Sequence, residues 1–122
     1  MTTFVLPADA VHESAALCDY LVDRLDSDDI VHAVTSTPDE STPQARRDSE
    51  DAQNAVYARL GAIATVDRHT ESVNSFVEAL LAVADRTGAD EIVISHTPEQ
   101  ADETARLLAQ SSRPVVVVPF SE

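Results

Sequence analysis

Short apolar runs rich in β-branched residues alternate along the chain with longer segments of helical spacing. The runs are Thr3 to Leu6, Ile30 to Thr35, Ala62 to Val66, Glu91 to Ser95 and Pro114 to Val118. Each is too short and too apolar for a surface helix and fits a strand buried on both faces. Between them, Val11 to Leu25, Gln44 to Leu60, Val73 to Arg86 and Pro98 to Gln110 carry helical periodicity. In the third segment Val73, Phe76, Val77, Leu80, Leu81 and Ala84 share one face. Strand and helix in alternation predict an α/β fold: a three-layer α/β/α sandwich around a five-stranded parallel sheet.

Local signals place the joints. Gly88 follows the third helix where a left-handed residue ends a helix, and Thr87-Gly88-Ala89-Asp90 turns the chain into the fourth strand. The polar stretch "STPDESTP", Ser36 to Pro43, reads as a solvated loop that ends in a Thr42 N-cap and Pro43 at the first helical position. The stretch Thr97-Pro98-Glu99-Gln100 reads in the same way as a capping box. The Thr hydroxyl and Gln amide are then expected to occupy the helix-start N–H groups that a phosphate would need. In a doubly wound sheet the ligand crevice lies beyond the C-terminal strand ends, where strand order reverses. The loops after the first and fourth strands are therefore the ones that matter for binding.

Composition adds size and environment. The 122 residues, 43% of them hydrophobic, fit a single domain over residues 1–122. A domain of this length buries roughly two-thirds of the surface its unfolded chain exposes. There is no basic leader and no apolar stretch approaching the roughly 20 residues that span a bilayer, so a soluble cytoplasmic protein is expected. Twenty-two acidic residues oppose eight basic ones, all Arg, for a formal net charge of -14. The carboxylates are spread along the periodic segments and so coat a folded surface. In about 1 M salt the Debye length falls to about 3 Å and their mutual repulsion is screened, which points to the cytoplasm of an extreme halophile. The same field disfavours nucleic acid and anionic membranes as partners. Cys18, the only thiol, falls on the apolar face with Val11, Ala15, Leu21, Val22 and Leu25, a core position.

Three stretches carry a family resemblance over essentially the whole chain: "FVLPADAVHESAALCDYLVDRL", "GADEIVIS" and "RPVVVVP". Pro7-Ala8-Asp9 ends the first strand, Gly88-Ala89-Asp90 leads into the fourth, and the Val-rich run from Val115 ends at Pro119. In this order and spacing they resemble the universal stress protein family. The resemblance implies a sheet of order 3-2-1-4-5 with its switch point between the first and fourth strands. It also implies a cytoplasmic homodimer formed through the last strand. Members that bind ATP carry Gly-x2-Gly-x9-Gly-Ser/Thr after the fourth strand, because phosphate must approach main-chain N–H groups with no Cβ between. Here no Gly occurs from Ser95 onward, and Ala10 and Val11 stand where Gly-Ser is usual. The resemblance thus implies a subgroup without the phosphate cradle: a non-enzymatic stress-adaptation module, with no cofactor, acting through an unidentified protein partner.

Two other readings stay open. One is a nucleotide-binding member that holds ATP or AMP with a non-standard phosphate loop, its pocket drawn from Pro7, Ala8, Asp9, Val34, Ser95 and His96. The other is a metal-dependent site at the switch point, from Asp9, His12 and His96, since one carboxylate and two imidazoles suffice to ligate a divalent ion. His32 reads as a strand histidine of the core and His69 as a loop residue, and no serine lies in a G-x-S-x-G setting. The last strand, at the sheet edge in the implied order, exposes an open row of backbone groups beside Val115, Val116, Val117 and Val118. A two-fold partner strand would close that edge, with Phe120 at the same interface; alternatively Phe120 and the chain end fold over it.

Overall fold

The computed structural model describes residues 1–37, 42–73 and 75–119. In chain order the elements are β1 (Thr3–Pro7), α1 (Val11–Leu21), β2 (Ile30–Ser36), α2 (Pro43–Leu60), β3 (Thr65–Glu71), α3 (Phe76–Thr87), β4 (Glu91–His96), a 3₁₀ turn (Pro98–Gln100), α4 (Ala101–Gln110) and β5 (Val115–Pro119). The five strands form one parallel sheet in the order β3-β2-β1-β4-β5. The expected α/β class and strand order are therefore those observed.

Alternation along the strands builds two cores. Phe4 and Leu6 of β1, Val31 and Ala33 of β2 and Val93 of β4 meet Leu17, Cys18 and Leu21 of α1 and Ala52, Val56 and Leu60 of α2 on one face. Val5, Val34, Ile92 and Ile94 meet Val77, Leu80 and Val83 of α3 and Leu107 of α4 on the other. Because both faces are covered, the central strands need apolar side chains at every position, which is why β1 and β4 read as continuous runs. Cys18 lies in the first core, and burial pushes its thiol up to about 11, an inert setting.

Boundaries shift where hydropathy is a poor guide. The third strand was expected at Ala62 to Val66 but runs from Thr65 to Glu71. Residues 61–64 still wind off α2, with the Ile63 and Ala64 N–H groups donating to the Leu60 carbonyl. The strand proper is an edge, "TVDRHTE", held by main-chain pairing with β2 from Ile30↔Thr65 to Ser36↔Glu71. Helix α1 stops at Leu21 rather than Leu25. Asp23 and Asp26 follow its C-terminal end in sequence, where negative charge opposes the helix dipole. Asp29 instead ties the following turn, accepting from the N–H groups of Thr2 at 2.7 Å and Asp26 at 2.9 Å. Gly88 closes α3 with φ 67°, as its sequence position requires. Thr42 caps α2 as expected, accepting from the Ala45 N–H at 3.1 Å.

The capping box at Thr97 is not formed. Thr97 makes no side-chain cap hydrogen bond, and its carbonyl accepts from the Gln100 N–H at 3.0 Å in a 3₁₀ turn. The Gln100 amide oxygen is buried with no partner.

Candidate functional site: a cleft at the switch point

Strands β1, β2 and β4 end together, and the chain leaves β1 and β4 toward opposite faces of the sheet. The gap so formed is a cleft of about 400 Å³. Its floor comes from Pro7 of β1 and Ile94 and Ser95 of β4, and its sides from Asp9, Ser36 and Thr37. Helix α2 closes one side through Ala45, Asp48 and Ser49; Phe76 opens α3 beside it, and Gln100 and Glu103 reach in after β4. A crevice stands where the strand order predicts one, and the side chains of the described residues leave it open.

Asp9 is the best-fixed polar group. The Ser36 N–H donates to its Oδ1 at 3.0 Å and the Ser36 hydroxyl to its Oδ2 at 3.3 Å. These bonds favour the carboxylate, but burial outweighs them and pushes Asp9 up to about 6. Burial likewise raises Glu13. With Asp48 and Glu103, four carboxylates and no Lys or Arg line the cleft among the described residues. Two oxygens at the cleft, Thr37 Oγ1 and Gln100 Oε1, are shielded from water and have no hydrogen-bond partner. The site is therefore rich in acceptors and negative charge.

The residues singled out from the sequence divide. Pro7, Asp9 and Ser95 line the cleft. Ala8 and Val34 do not: both side chains are buried in the core, and the Ala8 N–H donates to the Val34 carbonyl at 2.7 Å. His96 turns to α4, its Nδ1 3.3 Å from Thr104 Oγ1. The trio Asp9, His12 and His96 is not assembled. His12 is exposed on the first turn of α1, and among the described residues no three His, Cys, Asp or Glu side chains could hold a metal ion. The reason is topological, since α1 leaves β1 on the face opposite α3 and α4.

The histidines that do meet are two that were kept apart. His69 lies in β3, not in a loop, and its Nε2 is 2.8 Å from Nδ1 of His32. One ring must donate and the other accept, so at least the accepting ring is neutral. Burial lowers both pKa values, with Arg86 adding to the effect on each. Glu13, Ser36, Thr37, Asp48, Phe76, Gln100 and Glu103 were missed in the cleft. Ser36 ends the second strand, Thr37 follows it and Gln100 follows the fourth, so their positions pointed to the switch point; the others depend on how the helices pack.

No family model matches the sequence, and no curated protein matches it. Solved structures do share its fold. The universal stress protein from Archaeoglobus fulgidus superposes with a TM-score of 0.77 at 14% identity, over 97% of this chain and 93% of that one. A structure of the universal stress protein from the same organism in complex with dAMP gives 0.75 at 14% identity, over 97% and 98%. A universal stress protein family protein from Arabidopsis thaliana with AMP bound gives 0.76 at 10% identity, over 99% and 93%. The chain thus has the fold of the universal stress proteins.

Proposed function

We propose that this chain is a non-enzymatic regulatory module of the universal stress type, working in stress adaptation as a cytoplasmic homodimer in contact with a protein partner. Its switch-point cleft lacks the usual phosphate cradle and does not take ATP. The observation that carries this reading is the charge of the cleft: Asp9, Glu13, Asp48 and Glu103 line it with no Lys or Arg among them. A phosphate charge about 5 Å from one carboxylate is opposed by about 3 kcal/mol at an effective dielectric of about 20, so several such pairs outweigh a modest binding energy.

The acidic surface supports work in a salt-rich cytoplasm, and no helix among the described residues is long and apolar enough to cross a membrane. For the homodimer, the support is β5. Among the described residues it pairs with β4 on one side and ends the sheet on the other, with Val117 39% exposed. Val115, Val116 and Val118 flank the same open edge, whereas Phe120 lies outside the described residues. The dAMP and AMP in two related folds favour a second reading, a nucleoside monophosphate held with its phosphate outside the cleft.

Calorimetric titration with ATP and AMP, in about 2 M KCl with Mg²⁺ to screen the acidic surface, separates these readings. The first predicts no saturable heat from either nucleotide. Saturation by AMP alone selects the second, and saturation by ATP near one per chain contradicts both.

A further inference from the structure

The cleft presents four carboxylates and, among its described lining residues, no cationic side chain. Ser95 is only 4% exposed and borders the cleft, and no hydrogen bond of its hydroxyl is found among the described residues. Gln100 Oε1 and Thr37 Oγ1 are also unpartnered there. A buried polar atom without a partner costs stability, and the Gln100 amide oxygen, which can only accept, favours a ligand that brings N–H groups. The carboxylates agree with this, because burial raises Asp9 and Glu13 and nothing cationic among the lining residues compensates them. A bare metal ion does not fit, since no three of these side chains converge on one point. Charges spread over a cleft of about 400 Å³ match cationic centres spread along a chain. Pro7, Ile94 and Phe76 offer apolar contact for the methylenes between them, and an aromatic face for an ammonium group.

We propose that the switch-point cleft binds a linear organic polyamine, with its ammonium groups on the carboxylates of Asp9, Asp48 and Glu103 and on the free oxygens of Ser95 and Gln100. This rests on the reading that the cleft rejects phosphates, and it names what the cleft accepts instead.

The probe is spermidine, titrated calorimetrically in about 1 M KCl, where diffuse surface attraction is screened. ATP is run in parallel. Saturation at one spermidine per chain is expected, with the double variant Asp48→Asn, Glu103→Gln weakened about tenfold. The double variant Asp23→Asn, Asp28→Asn removes the same charge outside the cleft and is expected to bind as the parent does. Equal weakening of the two doubles overturns the site, since general acidity then explains the binding. Absence of saturable spermidine binding while ATP is also silent overturns the polyamine and leaves the proposed function standing. Saturation by ATP instead falls on the proposed function itself.

Discussion

Replacing Asp9 by Asn isolates the electrostatic cost of the cleft. The amide keeps the geometry: its oxygen can accept from the Ser36 N–H and its NH₂ can donate to the Ser36 hydroxyl, the bonds that Asp9 now holds at 3.0 and 3.3 Å. What it removes is a buried charge. In the unfolded chain Asp9 loses its proton near 3.8, whereas in the folded protein it keeps it to about 6. Between those values the native state binds more protons than the unfolded one, so stability falls as pH rises and levels off above about 6. The separation of the two values corresponds to about 3 kcal/mol at 1.36 kcal/mol per pH unit, and solvent in the open cleft reduces it to about 1–3 kcal/mol. Urea denaturation at constant KCl, repeated from pH 4 to pH 8, reads the difference between variant and parent. Asp9→Asn should equal the parent near pH 4 and exceed it by about 1–3 kcal/mol at pH 8. A variant less stable than the parent by the same amount at every pH would refute the reasoning, because the carboxylate would then contribute through its bonds alone.

Other predictions follow from the packing. The His32–His69 pair, with both pKa values lowered from 6.5 by burial, binds fewer protons folded than unfolded. It should make the Asp9→Asn protein lose stability as pH falls below 6.5, and adding His32→Gln should flatten that loss in the same denaturation series. Leu80→Ala, in the fully buried centre of the α3 core, should cost about 2–5 kcal/mol by chemical denaturation. Gly88→Ala meets no steric contact but must hold φ 67°, so a loss of about 1–2 kcal/mol is expected from conformation alone. Val117→Arg on the open edge of β5 should shift sedimentation from dimer to monomer with the fold intact by circular dichroism. A persistent dimer would move the interface elsewhere.

The legible parts of this molecule are those where one physical cause acts alone. β1 and β4 could be read because a strand covered on both faces needs apolar side chains throughout. β3 could not, because an edge strand is held by main-chain bonds, and Asp67, Arg68 and Thr70 give it no apolar signature. Its displacement hid the His32–His69 contact, which exists only when Val34 pairs with His69 across the ladder. In the cleft, Pro7, Asp9 and Ser95 were visible as strand-end residues beside the switch point. Asp48 and Glu103 sit on helices whose placement over the crevice no local pattern encodes. Gln100 was read as half of a capping box, a sensible local solution that the 3₁₀ turn displaced by satisfying the same N–H through the backbone.

The central claim, that an acidic switch-point cleft without a phosphate cradle leaves ATP unbound, can be tested by equilibrium dialysis against ATP in about 2 M KCl. The chain has no Trp and only two Tyr, so one bound adenine would dominate the ultraviolet spectrum of the protein compartment. The account predicts identical adenine absorbance on both sides of the membrane, with folded protein on one. Adenine in excess on the protein side, approaching one per chain as ATP is raised, would contradict it.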